Sequence, residues 1–217
     1  GVVTNSSTTG DGTLTFAATT EDTTLASTTI GATGAVLKAV NVTATSADTT
    51  SSTATLSGDI FATTVTAVAT SATNNDTIAF GDKVTATTLN LDGAGAFSFA
   101  DTATATNIII SGDSTSTVAA DQIIVGAVTN DSGAAAGTLT FAATTTNTTL
   151  ASSTIGATTA AEYLKAVNAS VTGGTATFDG DIFATTVTAL ATDSTGSDTV
   201  AFGDKVTATT LNLDGAG

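Results

Sequence analysis

Residues 79 to 110 read AFGDKVTATTLNLDGAGAFSFADTATATNIII, and the two halves of this stretch overlay on each other. Laying Phe99 on Phe80 puts Asp101 on Asp82, Ala105-Thr106 on Ala86-Thr87, Ile108 on Leu89 and Ile110 on Leu91, at a spacing of 19 residues. A unit this short buries no core alone, so it has to stack on its neighbours. Within it, Thr88-Leu89-Asn90-Leu91 alternates apolar with small polar at period two, as do Thr13-Leu14-Thr15-Phe16 and Val65-Thr66-Ala67-Val68. That is the pattern of short strands, and the Gly, Asn, Asp and Ser between them are turn formers.

Further units fit less closely. Phe16 and Leu25 are assigned to the slots of Phe80 and Leu89, and LSGDIFATTVTAV (Leu56 to Val68) fits with one residue fewer between Asp59 and Val65. Anchors then fall about every 20 residues. The expected fold is all-β, a β-solenoid (β-helix) of coils of about 20 residues. Phe16, Leu25, Val65, Phe80, Leu89, Phe99, Ile108 and their copies are its inward slots. Tandem β-sandwich domains are the alternative fold; they account for a long repeat but not for the short one.

The long repeat is plain. Gly12 to Thr33 returns at Gly137 to Thr158 with 19 of 22 positions identical, and Ala79 to Gly95 returns unchanged at Ala201 to Gly217. Residues 1–125 form the first long repeat, of about six coils, and 126–217 an incomplete second; with no initiator Met, the chain is expected to be a fragment of a longer repetitive one. At about 4.8 Å per coil, six coils give roughly 29 Å per long repeat and roughly 50 Å for the chain. The offset between the copies drifts around Gly34 and around Asp48 to Ser52, which marks these as expected surface loops. TAAEYLKAV (Thr159 to Val167) has the composition of a helical turn or two.

Composition narrows the function. The 217 residues include 55 Thr and 41 Ala, with no Cys, Met, Trp, Pro or His, and the net charge is −15. A Ser-His-Asp triad, a thiol nucleophile, a zinc site of His and Cys, and a disulfide framework are therefore excluded. All four basic residues are Lys, so a polyanion of this kind holds no nucleic acid. The apolar runs, such as Ile108-Ile109-Ile110, are too short for a membrane helix, and no membrane insertion is expected. The chain is read as folded rather than disordered, since 41% of it is hydrophobic. Polysaccharide cleavage by paired acids usually needs Arg or Lys and aromatic platforms; Tyr163 is the one Tyr and Arg is absent, so no enzyme is expected.

GDIFATTVTAV, FGDKVTATTLNL and SFADTATATNIII resemble the β-strand repeats of very large bacterial surface proteins, a group including filamentous-haemagglutinin-like adhesins, autotransporter passenger stalks and surface-layer proteins. The resemblance runs along nearly the whole chain and rests on Gly-Asp turns, Thr-rich strands and repetitiveness. It implies a non-catalytic structural segment of an extracellular, cell-surface fibre, stalk or layer. The partners it implies are further copies of the same repeat or protein, end to end or laterally, and surface glycans.

Two features suggest ligands instead. Asp59, Asp82, Asp101, Asp181 and Asp204 follow Gly or Ala in matching turns, and stacked coils set such carboxylates in a column about 5 Å apart, where they repel. Calcium relieves that repulsion by taking carboxylate and backbone oxygens; alternatively each Asp closes its own turn by a hydrogen bond, with Lys83 and Lys205 as counter-charges. The calcium-binding nonapeptide GGxGxDxUx is absent. Thr-x-Thr pairs such as Thr13/Thr15, Thr53/Thr55 and Thr64/Thr66 have the spacing of ice-binding ladders, but they recur at no fixed coil length. Asn5, Asn41, Asn75, Asn130, Asn147 and Asn168 head glycosylation sequons, as a Thr-rich chain produces by chance. Lys38 and Lys165 in LKAVN are read as solvated rather than as isopeptide donors to Asn41 and Asn168.

Overall fold

A computed structural model describes every residue except 8, 9, 20, 27, 28, 47–50, 74, 145, 146, 194–197, 216 and 217. The chain is a parallel β-solenoid. Three ladders of backbone pairing run its length without a break. The first links Val3, Ile30, Ile60, Val84, Ala103, Ile124, Ala151, Phe178 and Phe202. The second links Leu14, Val40, Val65, Leu89, Ile108, Val128, Ile155, Ile182 and Val206. The third links Thr24, Thr55, Ala79, Ser98, Thr117, Thr140, Asn168, Thr188 and Asn212. Each coil crosses all three, so the coil is three-sided.

Period-two alternation decides which residues enter the core. In the strand Asp59–Ala69, Ile60, Ala62, Val65, Ala67 and Ala69 are buried, and the residues between them are not. On the third side Leu25, Leu56, Phe80, Phe99 and Val118 stack one per coil. Phe80 and Phe99 lie face to face with centroids 5.0 Å apart. Phe141 of the third side meets Phe178 of the first edge-on at 5.5 Å, so the interior is one side chain deep. Small Ala shares the buried positions with these large side chains, as Ala62, Ala67 and Ala69 do with Ile60 and Val65.

The coil is longer and less regular than the sequence suggests. Successive rungs lie 19 to 31 residues apart, about 24 on average, because loops at the corners take up the extra chain. The 19-residue step from Phe80 to Phe99 belongs to the shortest coils. Two slot assignments also change. Phe16 pairs with Val42 on the second side, which is the slot of Leu91, and Leu25 pairs with Leu56 on the third, which is the slot of Phe80. No gap follows Asp59 either, since Leu56, Ile60 and Val65 all pair 24 residues on, with Phe80, Val84 and Leu89.

The long repeat does not hold a whole number of coils. Leu14, Val40, Val65 and Leu89 stand on the second side, whereas their copies Leu139, Val167, Val187 and Leu211 stand on the third. Each long repeat thus advances five coils and one side, not six coils, and rises about 26 Å at the usual strand spacing. The nine rungs together span about 38 Å. The shift costs nothing in register, because a parallel ladder asks only for matched backbone and an apolar inward residue, and all three sides offer both.

Around Gly34 the chain makes an exposed turn closed by the Ala32–Ala35 bridge, as expected of a loop. Of the other expected loop, residues 48–50 lie outside the described residues, and Ser52 is fully buried. The helical composition at Thr159 to Val167 yields one 3-10 turn, Ala160–Glu162, and then the strand Leu164–Val171. Pairing on both edges of that strand overrides the weak helical propensity of Leu-Lys-Ala.

Candidate functional site

The acids mark the corners of the solenoid. Among the described residues only Asp59, Asp92 and Asp214 fall within strands, each within two residues of a strand end. The flat sides therefore carry no acid in their middles, and their charges are Lys38 and Lys165. Lys165 Nζ makes an exposed ion pair with Asp113 at 2.7 Å, a contact worth under about 1 kcal/mol. Lys38 is exposed on its strand, as a solvated lysine is.

The five aspartates do not form one column. Ile60 pairs with Val84, so Asp59 stands opposite Lys83, one residue past Asp82. The Asp59 carboxylate accepts the Lys83 backbone N–H at 3.3 Å, and in the second copy Asp181 accepts the Lys205 N–H at 3.0 Å. These bonds join one coil to the next across the corner. The Asp101 carboxylate accepts the N–H of the next residue, Thr102, at 2.6 Å. Asp82 and Asp101 do hold equivalent places, each two residues before the paired Val84 and Ala103. Asp204 is the copy of Asp82, and the ammonium of its neighbour Lys205 sits 5.9 Å from the centre of the Phe183 ring. Among the described residues no three acidic side chains gather as a metal site.

The corners are held by polar side chains whose structural role sequence patterning did not show. Asp76 is fully buried, and its Oδ2 accepts the Thr70 hydroxyl at 2.9 Å and the N–H groups of Ser71 and Ser46 at 3.1 and 3.2 Å. Its copy Asp198 accepts the Asp193 N–H at 2.8 Å. Asp22 and its replacement Asn147 each accept the N–H of the Thr that opens the next coil's strand, Thr53 and Thr175. The signal for Asp76 and Asp198 is present in both copies: an acid directly before Thr-Ile-Ala-Phe or Thr-Val-Ala-Phe.

Asn5 and Asn130 form the third such pair. Asn5 donates to the Val36 carbonyl at 2.9 Å, and Asn130 donates to the carbonyls of Ala134 and Tyr163 while accepting from Ser132. Asn130 is 1% exposed, and both amide hydrogens are engaged. In the folded chain this sequon is closed to a glycan.

The outward Thr pairs lie in columns despite the uneven coil lengths. On the third side the two outward positions read Thr53/Thr55, Thr77/Ala79, Ala96/Ser98, Thr115/Thr117, Thr138/Thr140, Ala166/Asn168, Thr186/Thr188 and Thr210/Asn212. All are small and uncharged, spaced about 4.8 Å along the axis.

Fold and surface together define a class, a three-sided parallel β-solenoid repeat protein with acids gathered at its corners. No family model, no curated protein and no solved structure matches the chain.

Proposed function

We propose that this chain is a structural segment of an extracellular, cell-surface fibre, stalk or layer, adhesin-like in build and without catalysis. The observation that carries the proposal is that all three ladders pass from the first long repeat into the second without interruption. A chain whose repeats join this way extends by addition of coils, each supported by its nearest neighbours. The acidic corners keep such a rod soluble. Gold-labelled antibody against the chain, applied to intact cells that make it, is expected to decorate filaments 2 to 3 nm wide, on the order of one coil. Label found only inside permeabilised cells overturns the reading.

A second reading is favoured by the columns of the third side. The in-register Thr, Ser, Asn and Ala positions form a flat, uncharged lattice of the kind that orders ice-like water. Thermal hysteresis should then appear in solutions of the chain and vanish in Thr140→Tyr/Thr188→Tyr, whose rings break one column. Equal freezing behaviour in both, with no hysteresis, ends that reading.

A further inference from the structure

At the corner that leads into the third side, three buried oxygens have no protein partner. The two carboxylate oxygens of Asp76 fare differently. Oδ2 takes the Thr70 hydroxyl and the N–H groups of Ser71 and Ser46, while Oδ1 takes none. The hydroxyls of Ser46 and Ser52 are buried without a partner as well. Among the described residues the one ion pair is Lys165 with Asp113, so no lysine neutralises Asp76. A buried polar atom left unpaired is costly, and more so on a charged group.

The ladder brings these three side chains to one place. Thr53 pairs with Thr77, so the residues just before them, Ser52 and Asp76, hold the same slot of adjacent coils. The Thr77 N–H donates to the Ser52 carbonyl at 2.9 Å, which carries the pairing through that slot. Period two turns both side chains inward, and both are 0% exposed. Ser46 is held at the same carboxylate by its own N–H, 3.2 Å from Oδ2. Neither serine hydroxyl bonds to Oδ1 directly, and polar groups set apart in this way are commonly bridged by solvent.

We propose that this corner is a binding site for one internal water molecule, which donates to Asp76 Oδ1 and accepts the hydroxyls of Ser46 and Ser52. Three hydrogen bonds are the usual complement of a buried water. A cation serves the same atoms less well. It would take the lone pairs of the three oxygens and leave both hydroxyl hydrogens unpaired, and three ligands fall short of the roughly six to eight oxygens that calcium takes. Ser46 and Ser52 belong to one coil and Asp76 to the next, so the water ties two coils together. The second long repeat keeps the acid, Asp198, but has Gly173 and Gly174 in the places of Ser46 and Ser52. The site therefore belongs to the first repeat alone.

An atomic-resolution crystal structure of the whole chain is expected to show one density peak about 2.8 Å from all three oxygens. A peak at about 2.4 Å marks a cation instead, and no peak at all marks a dry corner; either result overturns the proposal. Thermal melting asks the same question through the sign of its shift. With the water bound, Ser52→Ala strips it of a partner and lowers the melting temperature by about 2 to 4 °C. In a dry corner the same change removes an unpaired buried hydroxyl, so an unchanged or raised melting temperature overturns the proposal. Ser46→Ala and Ser52→Ala act on one shared molecule, and their combined shift should differ from the sum of the two. Full additivity would mean that the hydroxyls do not meet at a common water.

Discussion

In the 217-residue chain, Leu91→Ala is expected to lower stability by about 3 kcal/mol, and Leu213→Ala by less than about 0.5 kcal/mol. The two leucines sit in identical 17-residue stretches, 79–95 and 201–217, so local sequence predicts equal effects. Stacking predicts otherwise. Leu91 is 1% exposed and lies between Ala67 and Ile110 of the adjoining coils, so truncation removes buried methyls and leaves a cavity with small capacity to collapse. Leu213 rests on Ala189 and is 68% exposed, so its removal takes little area from the core. Urea unfolding of both variants, followed by tyrosine-independent far-ultraviolet signal, reads the difference. Equal losses would mean that burial in this chain is set within a coil and not between coils.

The same logic explains what was legible in the sequence. Phe80, Phe99, Leu89 and Ile108 were readable as stacked slots because the coil joining them has no insertion, so sequence offset and structural register coincide at 19 residues. Phe16 and Leu25 were assigned to the wrong sides because a slot asks only for an apolar side chain at period two, and residue identity does not label the side. The one-side rotation between repeats was hidden for that reason as well. The aspartate column failed for a finer one. Aligning Gly58-Asp59 on Gly81-Asp82 needs a gap, but the backbone keeps Leu56 on Phe80 and Ile60 on Val84 and lets the Gly-Asp pair slide by one residue within the turn. Turn chemistry is set by local conformation, while register is set by the ladder, and here the ladder wins. Asp76 was missed, and Asn130 was legible only as a sequon, because a buried polar residue is recognised by the carbonyl and N–H groups that converge on it, and these come from distant residues such as Ser46 and Tyr163.

Gly156→Ala is expected to cost about 3 kcal/mol, against about 1 kcal/mol for Gly34→Ala. Both glycines have left-handed backbones, with φ of +78° and +80°. Gly34 sits in an open turn with no atom within 4 Å of an added methyl, so its substitution pays only the conformational penalty. At Gly156 a Cβ would lie 2.2 Å from the Phe183 carbonyl oxygen of the next coil, and that carbonyl cannot retreat without stretching the bond from the Phe183 N–H to Ile155 at 2.7 Å. Gly31 repeats the arrangement against Phe61 in the first copy, so the close approach is a property of the repeat. Gly156 also donates its N–H to the Val128 carbonyl at 2.8 Å, on the second ladder between the first two coils of the second long repeat. Strain placed there acts on the joints between these coils. Hydrogen exchange should accordingly show protection falling first at Ile155 and Val128 in Gly156→Ala, with the coils around Phe80 and Phe99 unchanged. Uniform loss along the whole rod would contradict nearest-neighbour stacking, and a cost no larger than that of Gly34→Ala would show that the coils at this joint stand further apart than their ladder requires.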